Sequence, residues 1–76
     1  MTKTAETVLK SARENNNEPV LVLRAKDMVS LSAIHDYYDH CVAARCNSDF
    51  LEDLRELIHD FADWRKDHET QIKIPD

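Results

Sequence analysis

Hydrophobic residues near the start of the chain recur at helical spacing in a narrow stripe: Ala5, Val8, Leu9 and Ala12. This spacing predicts a first helix over residues 3–15, with Thr2 or Thr4 as its cap. We expect the helix to end in Asn15–Asn17, because asparagine adopts the left-handed backbone of a helix end more readily than most residues other than glycine. A helix this short and weakly apolar must dock on another element to be stable.

The next apolar residues are consecutive, not periodic. The run that follows Pro19 has no polar member and comprises Val20, Leu21, Val22 and Leu23. It predicts a strand over 19–24 that is covered on both faces. A strand needs a mate, and three arrangements are open: the same strand of a second copy, the tail segment Gln71–Ile74, or no mate, with the segment pressed between helices.

Two longer apolar stripes predict two further helices, over 31–45 and 49–68. Ser30 is the predicted N-cap of the first of them, and Asn47 is its predicted stop. The stripe of the second is the stronger and runs through Phe50, Leu54, Leu57, Phe61 and Trp64. Because the link between these helices is short, we expect an antiparallel hairpin, followed by a tail over 70–76.

These elements predict a mostly α fold with a minor β component, formed by residues 1–76 as a single small domain. A chain of this length buries only roughly 60–65% of the surface of its unfolded form, so its core is thin. The strand and the thin core both favour assembly into a homodimer or a larger ring. We expect the interface between copies to contain Val20, Leu21, Val22, Leu23 and Trp64.

Composition and charge exclude several classes of function. The chain has no glycine, which excludes glycine-rich phosphate loops and dinucleotide-binding fingerprints. Fifteen acidic against ten basic residues give a net charge of −5, which argues against direct binding of nucleic acid or anionic membranes. No apolar run is long enough to span a membrane, and Met1–Thr4 do not begin a signal peptide, so we expect a cytoplasmic protein.

All of the net charge lies in residues 49–69, the last predicted helix and one residue after it, which hold eight acidic and three basic side chains. Six of the acidic residues recur every three or four positions and follow one side of the helix: Asp49, Asp53, Glu56, Asp60, Asp63 and Asp67. We call these six residues the acidic stripe. It is either a solvated face or a contact surface for a partner with a basic groove. In the second case the predicted contacts are Asp53, Glu56, Asp60 and Asp63.

Basic side chains precede the second predicted helix. Arg24, Lys26 and Ser30 together suit an anion, because free N–H groups at the start of a helix attract negative charge. Asp27 competes for the same N–H groups, so ordinary capping and ion pairing is the alternative. If the strands of two copies pair, two such segments converge on one ligand.

Cysteine and histidine give no sign of catalysis. Cys41 and Cys46 fit neither a zinc-binding nor a CxxC redox spacing, and we expect them to be reduced, mainly as core residues. Three of the four histidines form i, i+4 pairs with aspartate: His35 with Asp39, His40 with Asp36, and His59 with Asp63. A catalytic metal needs more ligands than a pair provides, around a dry cleft. We therefore predict no enzyme activity, no metal and no cofactor.

Residues Glu18–Asp27 read Glu-Pro-Val-Leu-Val-Leu-Arg-Ala-Lys-Asp. They resemble a segment of small, uncharacterised phage and prophage proteins that runs close to Glu-Pro-Val-Phe-Val-Leu-Arg-Ala-Gln-Asp. Leu21 takes the place of the phenylalanine, and Lys26 takes that of the glutamine. The likeness is loose over the two following helices. It implies a viral or prophage setting, hence the cytosol of a host cell, and no particular activity.

Three functions fit these features. The first is a non-enzymatic, phage-type binding protein that inhibits a host protein through the acidic stripe. The second is an oligomer that sequesters a small anionic, nucleotide-like ligand with Arg24 and Lys26. The third is self-assembly for a structural purpose, without a ligand.

Overall fold

The computed structural model describes residues 5–75, which form three α-helices and one short 3-10 helix. The elements are α1 (Ala5–Glu14), α2 (Ser30–Ala43), α3 (Ser48–Asp67) and a 3-10 helix (Glu69–Gln71). The prediction of a mostly α fold is confirmed. The helix boundaries fall within about two residues of the predicted ones wherever they lie in the described range.

α1 ends, as predicted, in the run of asparagines. Asn16 and Asn17 both have left-handed backbone, with φ of 58° and 56°. Backbone amides just after the helix donate hydrogen bonds to carbonyl groups of its last turns. The predicted caps at the other end, Thr2 and Thr4, lie outside the described residues.

α2 begins one residue earlier than predicted and without the predicted cap. Ser30 is its first helical residue, is fully buried, and donates its hydroxyl to the carbonyl oxygen of Asp27 at 2.9 Å. Val29 occupies the cap position with no side-chain hydrogen bond. The prediction of Ser30 as an N-cap is therefore wrong, because its hydroxyl bonds to the preceding turn and not to the free N–H groups of the helix.

The end of α2 is closed by two backbone hydrogen bonds. The amide of Arg45 donates to the carbonyl oxygen of Val42, and the amide of Cys46 donates to that of Cys41, both at 3.1 Å. This pair of bonds is a Schellman motif. Arg45 takes the left-handed position that glycine usually fills, with φ of 60°.

The start of α3 also differs from the prediction. Asn47, the predicted stop of α2, is the N-cap of α3, where its side-chain oxygen accepts from the amide of Phe50 at 2.8 Å. Asparagine suits either end of a helix. Because Arg45 already holds the left-handed position, Asn47 is free to cap the next helix.

α2 and α3 pack against each other around a small core of Ile34, Cys41 and Leu54. At the far end of the pair, Arg65 of α3 donates to the carbonyl oxygen of Met28, just before α2, at 3.3 Å. The last turns of α3 therefore return to the start of α2. Few side chains are fully buried in the described part of the chain, and the core is as thin as its length suggested.

The strand predicted over 19–24 is not formed in the described residues. Val20–Leu23 belong to no helix or strand and stay exposed, Leu21 by 80%. A strand forms only when its backbone hydrogen-bonds to a neighbouring strand, and no described segment of the same chain provides that partner. We call Val20–Leu23 the ribbon.

The tail does pair with the chain, but just beyond the ribbon. Lys73 and Asp27 form a parallel bridge. The amide of Met28 donates to the carbonyl oxygen of Lys73 at 2.7 Å, and the amide of Lys73 donates to that of Lys26 at 3.0 Å. Pairing of the tail with 19–24, one of the open arrangements, is thus replaced by pairing with the segment that leads into α2.

Replacing Arg45 by glycine is expected to stabilise the protein by about 1 kcal/mol, because glycine adopts positive φ without a steric cost. Chemical denaturation followed by circular dichroism measures the change. Ala44→Gly is the matched control. Ala44 has an ordinary φ of −79°, so glycine there should destabilise by about 0.5–1 kcal/mol. A loss of stability in Arg45→Gly would contradict the strain assigned to this residue.

Candidate binding sites

An apolar groove lies between α1, the ribbon and the first half of α3. Its volume is about 680 Å³. Its apolar lining comprises Ala5, Val8, Leu9, the ribbon, Phe50, Leu54 and Leu57. Such a continuous apolar surface on a small chain is typical of a site that contacts another molecule.

The ribbon forms one wall of this groove with its backbone unpaired. Val20 and Val22 are 49% and 59% exposed. No backbone amide or carbonyl of the ribbon shares a hydrogen bond with any residue of the described range. Free N–H and C=O groups beside exposed apolar side chains are the features by which one extended segment adds to another.

The acidic stripe borders the same groove. Asp49 and Asp53 line it, and Asp53 is half-buried. Glu56, Asp60 and Asp63 lie further along α3 and are exposed. The predicted contact residues are therefore divided: Asp53 lines the groove, whereas the other three lie on the exposed surface of α3.

A second, smaller pocket brings together residues from three parts of the chain. It has a volume of about 170 Å³ and is lined by Arg24, Ala25, Lys26, Trp64 and Gln71. We call it the basic pocket. Two of the three residues predicted to hold an anion thus lie together, beside an aromatic ring and an amide.

The segment that carries Arg24 and Lys26 is held in place from two sides. The bridge to Lys73 fixes Lys26 and Asp27 through the backbone. Arg65 of α3 donates to the next carbonyl group along the chain, that of Met28. Both contacts set the distance between this segment and α3, which carries Trp64.

The indole of Trp64 is oriented by His68, one helical turn further on. The two rings are stacked, with centroids 4.2 Å apart and an angle of 12° between their planes. The Nδ1 atom of His68 lies 2.7 Å from the carbonyl oxygen of Trp64. The stack restricts the rotation of the indole and so defines the wall that it gives to the basic pocket.

Ser30, the third predicted anion ligand, does not belong to this pocket. It is completely buried, and its hydroxyl is engaged with the carbonyl oxygen of Asp27. A ligand in the basic pocket has no access to that hydroxyl. We therefore remove Ser30 from the set of ligand-binding residues.

The pKa values of Tyr37, in α2, and of Cys46, just after its end, are both raised. A hydrogen bond with Cys41 is the largest cause that raises the pKa of Tyr37 above its usual value. Burial, followed by a hydrogen bond with Cys41, raises the pKa of Cys46. Both shifts stabilise the protonated, uncharged forms, so the Cys46 thiolate is a minority form at neutral pH and reacts through that fraction.

The histidine–aspartate pairs all lie on exposed helix surfaces. Over residues 5–75, no three histidine, cysteine or acidic side chains are grouped so that they could hold a metal ion.

Within the same range, no helix combines the length and the hydrophobicity needed to cross a membrane.

Two features of these sites have no clear signal in the sequence. Gln71 reaches the basic pocket because the tail docks beside Asp27, whereas the alternating sequence of the tail indicates pairing with residues 19–24. The spacing of Val8 and Leu9 predicts that this side of α1 packs against another element, but it does not identify that element. Trp64 was predicted at an interface between copies, and the structure places it in the wall of the basic pocket.

No family model matches this chain, and neither a curated protein nor a solved structure is significantly similar to it. Its function therefore has to be inferred from the chemistry of the two cavities and of the acidic stripe.

Proposed function

We propose that this chain is a non-enzymatic binding protein that acts as an oligomer and sequesters a small anionic, nucleotide-like ligand in the basic pocket. The observation that carries the proposal is the meeting of Arg24 and Lys26 with Trp64, which is distant from them in sequence. Two cationic side chains pair with phosphate oxygens, and an indole stacks on a flat ring. A ligand that carries both a phosphate and a flat ring can therefore bind to Arg24, Lys26 and Trp64 at the same time.

The size of the basic pocket supports the oligomeric part of the proposal. Its 170 Å³ is below the roughly 300–1,000 Å³ of most ligand sites, so one copy encloses only part of such a ligand. The ribbon leads directly into Arg24. Pairing of two ribbons around a two-fold axis would bring two basic pockets towards each other, so that each copy supplies half of the site.

The setting follows from the sequence. The resemblance of Glu18–Asp27 to phage and prophage proteins supports a viral role in the cytosol of a host cell, where a small protein of this kind removes a ligand that the host uses. Assembly without any ligand is the remaining structural alternative, and the binding test below distinguishes the two.

A panel of cyclic and linear nucleotides tests the proposal through melting temperature and fluorescence. Trp64 is the only tryptophan of the chain, so its emission reports directly on the basic pocket. A ligand present at ~100 times its Kd is expected to stabilise the protein by ~2.7 kcal/mol. Removing both cations, in Arg24→Ala with Lys26→Ala, is expected to weaken binding by at least about 100-fold, because each charge-assisted hydrogen bond contributes about 1.5–3 kcal/mol.

Lys10→Ala with Arg13→Ala is the matched control. It removes the same charge from the exposed surface of α1, outside both cavities, and should leave binding unchanged. The proposal is wrong if no nucleotide shifts the melting temperature. It is equally wrong if the control loses as much affinity as the pocket variant.

A second candidate, contact with a basic host protein through the acidic stripe, is favoured by one observation. Glu56, Asp60 and Asp63 are exposed, and none of them has an ion-pairing partner in the part of the chain described. Carboxylates that repel one another on a helix are relieved by a partner with basic side chains. This partner would approach the exposed side of α3 that carries Glu56, Asp60 and Asp63.

Charge reversal at Glu56→Lys with Asp60→Lys tests this second candidate. Both residues are exposed, so helix content should not change, while capture of a basic partner from host extract should be lost. Asp36→Lys with Asp39→Lys, on the exposed surface of α2, makes the same change of charge and should retain the captured protein. Equal capture by both variants would remove the acidic stripe as a contact surface.

A further inference from the structure

The two cysteines occupy the positions that a Schellman motif brings together. The amide of Cys46 donates to the carbonyl oxygen of Cys41 at 3.1 Å, across the end of α2. Side chains at these two positions commonly form an apolar contact over the helix end. Here both are free thiols.

The thiols are also neighbours in the core. Cys46 packs against the core cluster to which Cys41 belongs. Given standard backbone dimensions, the 3.1 Å bond keeps the two Cα atoms less than about 7 Å apart. Disulfides span about 4.4–6.8 Å between Cα atoms. The pair can therefore be bridged with little movement of the backbone.

We propose that Cys41 and Cys46 form a reversible intramolecular disulfide, with a low-molecular-weight disulfide such as oxidised glutathione as the oxidant. The Cys46 thiolate attacks one sulfur of the small disulfide, breaks its S–S bond and releases one thiol. The Cys41 sulfur loses its proton, attacks the Cys46 sulfur and releases the second thiol. The protein gives up two electrons and two protons, and the small disulfide takes up both.

This disulfide fastens the end of α2 to the start of α3. Asn47, which caps α3, follows Cys46 directly and lines the apolar groove together with Asp49 and Phe50. Oxidation therefore fixes the wall of the groove at this end. The inference does not depend on the proposed ligand, since the cysteines line neither of the two cavities.

A glutathione titration tests the disulfide. Reduced full-length protein is equilibrated with increasing ratios of oxidised to reduced glutathione, quenched in acid, alkylated with iodoacetamide and analysed by intact mass spectrometry. We expect molecules with two alkylated thiols to be replaced directly by molecules with none, at the mass of the monomer less two hydrogen atoms. The oxidised form should also melt at a higher temperature, because the cross-link restricts the unfolded chain.

Cys46→Ser is the control that leaves the buried thiol in place. Cys41 is 5% exposed and should remain reduced and free of glutathione in this variant, which also folds because Cys46 is only half-buried. Two outcomes overturn the proposal: wild-type protein that keeps both thiols in fully oxidised glutathione, or wild-type protein that accumulates a glutathione adduct or a disulfide between copies. A Cys46→Ser variant in which Cys41 is as reactive as wild-type Cys46 also overturns it.

Discussion

Leu21→Asp is expected to convert the proposed oligomer into a folded monomer. Leu21 is 80% exposed in the single chain, so aspartate there should cost little folding stability. In a two-fold interface the substitution places two unpaired carboxylates among the apolar side chains of both ribbons. Burying them costs several kcal/mol, which raises the dissociation constant at least about 1,000-fold.

Native mass spectrometry and light scattering after gel filtration measure the copy number, and circular dichroism checks that the helices are retained. Ile74→Asp is the matched control, because Ile74 is also a largely exposed apolar residue, at 69%, but lies outside the ribbon. It should leave the oligomer intact. A wild-type chain that is already monomeric, with rapid amide exchange throughout the ribbon, would contradict the assembly.

Leu54→Ala is expected to have the largest effect on stability. Leu54 is 7% exposed and is one of the few buried side chains in the described range. Truncating a buried leucine costs about 2–5 kcal/mol. A domain of this size has about 4–11 kcal/mol in total, so the substitution removes a large part of it.

Urea unfolding followed by circular dichroism measures this loss. Val42→Ala removes apolar atoms from a position of α2 that is 48% exposed and should change stability by less than about 0.5 kcal/mol. Similar midpoints for wild type and Leu54→Ala would mean that the core between α2 and α3 does not stabilise the fold as described.

The helices could be predicted from the sequence because their signals are local. Hydrophobic spacing located α2 and α3, and the run of asparagines located the end of α1. The errors occurred where one residue type has two competing uses. Ser30 could cap the helix or donate to the preceding turn, and Asn47 could end α2 or begin α3. The spacing of hydrophobic residues does not distinguish between these roles of Ser30 and Asn47, because the geometry of the turn decides each of them.

The ribbon and the basic pocket depend on contacts that are distant in sequence. The β-like composition of the ribbon was evident, but a strand also needs a hydrogen-bonding partner strand, and residues 5–75 provide none. Arg24 and Lys26 could be proposed as an anion site because they lie just before a helix. Their meeting with Trp64 and Gln71 could not, because it requires the bridge between Asp27 and Lys73 and the return of α3 to the start of α2.

The bridge between Asp27 and Lys73 also has a consequence for the order of folding. The helical pair joins neighbouring segments, so its loop closes at low entropic cost, whereas the tail can reach Asp27 only after the docked α3 has returned to the start of α2. The tail should therefore dock late and open first in sub-global fluctuations, while α2 and α3 remain together. Release of the proposed ligand would then require only undocking of the tail, without any unfolding of the helices.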